Sequence, residues 1–342
     1  MQVFKDMLVY ATEHMPRWNT ISISGYHIRE AGSTAAQELA FTLSDGFAYV
    51  EAGIEAGLDV DDFAPRFSFF FNSHVDFFEE IAKFRAARRI WATVMKNKYG
   101  AKDEKSLLMR FHTQTAGGSL TAQEPLNNIA RTAFEALAAI LGGTQSLHTN
   151  SFDEALALPT EQAVRIAVRT QQIAALETGA ANTVDPLGGS YFVEALTDEM
   201  ERQAYDYFKQ IDDMGGVVKA IENGFKMHEI AEASARYQRE IEEEKRYIVN
   251  VNIHEPQEET DVETHRVSQE VSDEQIKRLK ELKQRRDNEQ VENCLKAIKK
   301  AAEEGENTMY PTIEAVRAYA TVQEICDAMK EVYGTYRETP VI

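Results

Sequence analysis

Four short β-rich runs, each followed by a longer stretch of helical periodicity, constrain this chain more than any other feature of its sequence. "TISIS" (residues 20–24) precedes a helix pattern over 34–56, "RFSFFF" (66–71) one over 75–96, "LLMRFHTQ" (107–114) one over 127–141, and "TQSLHT" (144–149) one over 161–177. Strands separated by helices of that length pair in parallel through right-handed crossovers. Four β/α units make half of an eight-fold (β/α)8 barrel, so the sequence predicts an α/β fold with half of a TIM barrel over residues 1–185.

The texture changes beyond residue 185, and a mostly helical extension over 186–342, packing on the barrel, is expected. "VDPLGGSYFVEALTDEMERQAYDYFKQI" opens with a turn at Pro186, Gly188 and Gly189 and continues as a helix with Thr197 as its expected cap. "GGVVKAIENGF" supplies a short helix, and the acidic, proline-interrupted residues 241–264 predict an irregular surface segment. Residues 272–304 form a charged amphipathic region starting at Ser272 or Asp273, a solvated face with opposite-sign helical pairs. Residues 310–334 read as two closing helices.

Composition narrows the function classes. With 56 acidic against 37 basic residues, the formal charge of -19 repels phosphate backbones, and no basic patch with interleaved aromatics offsets it, so a nucleic-acid partner is not expected. The longest apolar runs, such as "FSFFF", fall far short of the roughly 20 residues of a membrane span, and no secretory h-region opens the chain. A cytoplasmic protein without a membrane partner is the expectation. Cys294 and Cys326 lack CxxC spacing and read as reduced thiols, and the histidines lack the carboxylate or thiolate company of a metal site.

All four expected strands end in polar groups: Tyr26 and His27; Asn72, Ser73 and His74; His112, Gln114 and Thr115; His148 and Asn150. In a barrel, catalytic groups cluster at these carboxyl ends. His74 and His148 read as capping or hydrogen-bonded core groups, His27 and His112 as functional ones. No Walker loop, GxSxG or HExxH is present, and the paired glycines of "GGSY" and "LGGTQ" lack dinucleotide spacing. The polar ring, with Glu30 and Glu154 behind it, can bind carbonyls, hydroxyls and ribose oxygens but holds no activated nucleophile. That set suits an enzyme whose cofactor carries the hard chemistry.

The blocks "NTISISGYHIREAG", "FAPRFSFFF", "HTQTAGGSLTAQEPLNNI", "GGTQSLHTNSFDEAL" and "VDPLGGSYFVE", in that order, resemble the catalytic large subunit of the methylmalonyl-CoA mutase family. The resemblance runs to the end of the chain and includes "YIVNVN" (247–252). It implies an adenosylcobalamin-dependent isomerase whose barrel threads coenzyme A along its axis and whose carbon-skeleton rearrangement interconverts methylmalonyl-CoA and succinyl-CoA. On that resemblance His27 hydrogen-bonds the thioester carbonyl and Tyr26 shapes the reaction cavity. Arg17, Arg66, Phe67, Ser68, Lys105, His112 and Gln114 match positions on the substrate and CoA side. Glu30, Asn150 and Glu154 match positions near the deoxyadenosine, with Glu154 a ribose ligand. For Lys105 and Asn150 a purely structural role competes.

Three departures stand beside the resemblance. The matched region starts just before the family's fifth barrel strand, so the chain reads as the C-terminal half of the barrel. It lacks the DxHxxG motif of a cobalamin domain. "TAGGSL" (115–120) replaces a form that often carries Ser-Gly-Trp. One expectation is therefore a split catalytic subunit, inactive alone, with an N-terminal half and a cobalamin-binding subunit as partners; open sheet edges would demand such company. The other is a non-catalytic acyl-CoA-binding or assembly module, self-paired as a homo-oligomer, or a mutase half acting on another ester such as isobutyryl-CoA.

Overall fold

A computed structural model describes residues 1–256 and 262–337. Its sheet has four parallel strands in sequence order: β1 (Ser22–Ser24), β2 (Ser68–Ser73), β3 (Phe111–Thr115) and β4 (Ser146–His148). Register pairs Ser24 with Phe70, Asn72 with Gln114, and Gln114 with His148. The crossovers are the helices Ala35–Glu55, Phe77–Asn97 and Asn128–Leu141, and Glu161–Leu176 follows β4. This topology is consistent with part of a (β/α)8 barrel. The third strand is shorter than its sequence pattern because the Asp103 carboxylate caps a helical turn over Glu104–Leu107, accepting from Lys105 N–H at 2.9 Å.

Side-chain alternation gives the sheet two unlike faces. Ile23, Phe69, Phe71 and Phe111 pack under the helices, where Phe69 meets Trp91 edge-on at 4.9 Å and Phe84 stacks on Phe111 at 5.2 Å. On the other face lie Ser22, Ser24, Ser68, Phe70, Asn72, His112, Gln114, Ser146 and His148. Parallel sheets are ordinarily apolar on both faces; this one is apolar on one and polar on the other.

Chain contacts divide the protein into two units. The larger, Ile21–Glu51 and Ala64–Arg266, holds the sheet and the helices Tyr191–Asp213, Val217–Glu222 and Phe225–Glu242. Tyr191–Asp213 is capped at Ser190; Thr197 lies buried inside it, its hydroxyl bonded to Val193 O at 2.7 Å, so the expected cap is in fact an interior residue. Part of the irregular acidic segment, residues 257–261, lies outside the described residues. The smaller unit comprises Met1–Thr20, Ala52–Phe63 and the described residues from Val267 on. There the charged 272–304 region is two helices, Gln269–Arg285 and Asn288–Glu304, the first capped at Ser268 rather than Ser272 or Asp273. They are followed by Met309–Arg317 and Val322–Tyr333, and Cys294 packs against the Ile298, Ala315, Ile325 and Ala328 cluster. Arg286 grips Glu324 with two bonds of 2.8 and 2.6 Å, and Glu324 also closes the capping box at Thr321.

Candidate active site at the strand ends

Gly25 ends β1 and turns the chain. Its N–H donates to Phe70 O at 2.8 Å, and the single-turn helix Tyr26–Glu30 starts immediately after it. Tyr26 stacks on Phe70 (5.0 Å, 15°), and His112 meets the same ring edge-on at 4.9 Å. A row of rings thus runs from the turn after β1 across the polar face of β2 and β3. Burial, then the charge of Glu30, pushes the Tyr26 phenol up, so it stays protonated and neutral. His27 is exposed beside it, with Nδ1 3.3 Å from Ser24 Oγ.

The Glu30 carboxylate is the best-anchored group. Asn72 Nδ2 donates to it at 2.6 Å, and the backbone N–H groups of Gly117 and Gly118 donate at 3.0 and 2.9 Å. Burial raises its pKa and those three hydrogen bonds oppose the rise. A Cβ placed on Gly117 would lie 3.0 Å from Glu30 Oε2, 3.5 Å from Asn150 Nδ2 and 3.7 Å from Tyr26 Oη. These three groups therefore form a cradle that only glycine leaves open. Asn150 is fixed in turn: its amide accepts from Gln114 Nε2 at 2.8 Å and donates to Thr115 O at 2.9 Å. Glu154 lies nearby at the surface, its carboxyl raised by partial desolvation and then by the charge of Glu30.

His112 Nδ1 lies 2.7 Å from Ser146 Oγ, and burial, then His148, lowers its basicity; it is a neutral imidazole on the polar face. At the amino ends of the strands are half-buried Arg66, buried Phe67, Ser68 (Oγ donating to Ile21 O at 3.3 Å) and exposed Lys105. Arg17 is exposed in the smaller unit. Among the residues of the larger unit, the structure brings Tyr26, Glu30, Gln114 and Asn150 together, sets Ser68 at the opposite end of the same face, and leaves Arg66 and Lys105 in the turns that precede β2 and β3.

Sequence reading missed the buried support beneath this site. Lys83 Nζ, fully buried, donates to Glu38 Oε2 at 2.5 Å, to Asn72 O at 2.8 Å and to Glu80, while Glu38 Oε1 accepts from Asn72 N–H at 2.7 Å. Both backbone polar groups of Asn72 are thereby pinned, and with them the amide that reaches Glu30. Glu135, also fully buried, accepts from Ser119 Oγ at 2.5 Å and steadies the loop that offers the Gly117 and Gly118 N–H groups. The signal was present as charged residues on otherwise apolar helix faces, "AAQELAF" and "FFEEIAKF". His74 lines a cavity of about 540 Å³ with Arg131, Phe134, Tyr237 and Tyr247, and burial lowers its pKa to about 3, so it too is neutral.

Two carboxylates share one ammonium in this network, and burial together with Glu80 pushes Glu38 up to about 7. The native state therefore holds that proton more tightly than the unfolded chain, whose glutamates titrate near ~4.3. The stabilisation is complete below that value and is lost as pH rises through about 7. Urea unfolding at pH 5 and pH 8 should show a larger loss of stability on alkalinisation for the wild-type chain than for Glu38→Gln.

The groups gathered at this end are of hydroxyl-binding types: Glu30 and Glu154 offer acceptors, Asn150 and Gln114 offer amides, and Tyr26 offers a neutral phenol. A family model described as methylmalonyl-CoA mutase matches residues 1–335. The chain is 49% identical over 98% of its length to methylmalonyl-CoA mutase of Escherichia coli, covering 47% of that protein. It is 46% identical to the mitochondrial methylmalonyl-CoA mutase of Homo sapiens, over 98% of this chain and 45% of that one. It is also 43% identical to the 2-hydroxyisobutanoyl-CoA mutase large subunit of Aquincola tertiaricarbonis, over 100% of this chain and 61% of that one. The chain spans about half the length of the methylmalonyl-CoA mutases it matches.

Proposed function

Because the chain belongs to the methylmalonyl-CoA mutase family, we propose that its sheet is the C-terminal half of the acyl-CoA-binding (β/α)8 barrel of an adenosylcobalamin-dependent isomerase, interconverting methylmalonyl-CoA and succinyl-CoA. The observation that carries this reading is the polar second face of a parallel sheet. It gives an elongated polar ligand a track from Arg66, Ser68 and Lys105 at one end to His27 and Gln114 at the other, with Arg17 and Phe67 as further CoA-side residues.

In this reading His27, exposed at the strand end, donates a hydrogen bond to the thioester carbonyl and follows it as the acyl group rearranges. Tyr26, neutral and stacked on Phe70, walls the cavity and keeps water out together with the His112 ring. Gln114 orients the substrate while holding Asn150. Glu30, Asn150 and Glu154 hold the deoxyadenosine side of the cofactor. When bound, adenosylcobalamin supplies the radical chemistry; this chain supplies position and a dry, polar wall.

The free edges of β1 and β4 among the described residues call for further strands. We assign these to an N-terminal half of the catalytic subunit and the cobalamin to a further domain or subunit, in a cytoplasmic assembly whose thiols stay reduced. The test is a mutase assay of the chain alone and then with both partners, using methylmalonyl-CoA and, because of the Aquincola relative, 2-hydroxyisobutanoyl-CoA. Turnover only in the reconstituted mixture, reduced about a hundredfold by His27→Ala, is expected. Confirmed assembly with no turnover of either ester would leave an acyl-CoA-binding or assembly module instead.

A further inference from the structure

Away from the polar face, the larger unit contains a cavity of about 170 Å³ between the helices Ala35–Glu55, Phe77–Asn97 and Tyr191–Asp213. That volume is close to cavities that hold one six-membered ring. Three aromatic side chains build it. Phe208 meets Phe47 at 5.5 Å and 72°, and Tyr205 at 5.5 Å and 86°, so the rings stand nearly perpendicular and offer both edges and π-faces to the space between them. Phe47 and Ile211 are buried, and Tyr205 is 38% exposed at the rim.

The lining carries two carboxylates, Glu51 and Asp212, and one ammonium, Lys98. Glu51 is already committed, accepting from Lys98 Nζ at 2.9 Å and from Tyr99 Oη at 2.8 Å. Asp212, exposed on the last turn of Tyr191–Asp213, has no hydrogen bond or ion pair to its carboxylate among the described residues. Val94 and Lys98 line the same cavity at the carboxyl end of Phe77–Asn97. Two helix carboxyl ends, each with its partial negative charge, thus flank the opening. Aromatic faces and a free carboxylate attract a cation and repel an anion.

We infer that this cavity is a binding site for a small organic ammonium ion, with a ring-sized hydrocarbon body among Phe47, Tyr205 and Phe208 and its charge against Asp212. The site does not depend on the acyl-CoA reading: it shares no residue with the polar face.

Titration calorimetry on the full chain with benzylammonium chloride, and separately with benzyl alcohol as the neutral counterpart, tests it. The expected result is benzylammonium binding at least about fivefold tighter than the alcohol in low salt, with the preference shrinking in 1 M NaCl. Asp212→Asn should abolish the preference, and Phe208→Leu should weaken both ligands, with circular dichroism reporting an unchanged fold for Asp212→Asn. Equal affinity for the two ligands, no binding of benzylammonium, or a preference that survives Asp212→Asn would overturn the assignment.

Discussion

Lys83→Met is expected to lower the unfolding free energy by about 3–5 kcal/mol, because removing the ammonium leaves Glu38 and Glu80 buried without their shared cation. The methionine preserves most of the stem volume, so the loss reports electrostatics rather than a cavity. Arg29, whose guanidinium is 3.9 Å from Glu80, also acts on Glu38 through its charge, but it does not supply the hydrogen bonds that Lys83 gives both carboxylates. Urea unfolding at pH 8 measures the effect. The deficit should narrow at pH 5, where Glu38 takes up a proton, and Lys83→Met combined with Glu38→Gln and Glu80→Gln should recover part of it. A single-variant loss below about 1 kcal/mol would mean that the network is not the support inferred for Asn72.

The second large effect is expected at Gly25. A Cβ there would lie 2.0 Å from Thr42 Oγ1 and 3.0 Å from Glu38 Cγ, and Thr42 is fully buried with its hydroxyl bonded to Glu38 O at 2.6 Å. The backbone at this position is ordinary right-handed geometry, so space rather than torsion demands glycine. Gly25→Ala should cost about 3 kcal/mol and shift the Tyr26–Phe70 stack, visible as a changed near-ultraviolet dichroism. Adding Thr42→Ala removes the nearest atom and should restore most of the stability. An undisturbed Gly25→Ala chain would show that the turn has room to move.

The first three strands were legible as short runs holding β-branched or aromatic residues, the fourth only from its place between two helix patterns, and the helices because their apolar period is sustained. Boundaries failed where a side chain decided them: Asp103 captured the start of the third run for a helical turn, and Ser190 and Ser268 took caps expected at Thr197 and at Ser272 or Asp273. At the site, Tyr26, Gln114 and Asn150 could be read from their place at strand ends. Lys83, Glu38 and Glu135 could not be assigned partners, since a charge on an apolar helix face becomes informative only when the residue opposite is known. The two faces of β2 show the same limit: "FFF" reads as uniformly apolar, yet Phe70 stacks on Tyr26 while its neighbours pack in the core.

The order β1-β2-β3-β4 has a consequence for how the sheet is made. Within this sheet, β2, β3 and β4 each pair with the strand synthesised just before them. Each closure spans a single β/α unit, which permits stepwise growth during translation although parallel pairing itself is slow. On a ribosome, each new β/α unit would dock on the edge of the strand just finished, while the outer edge of β1 stayed open throughout.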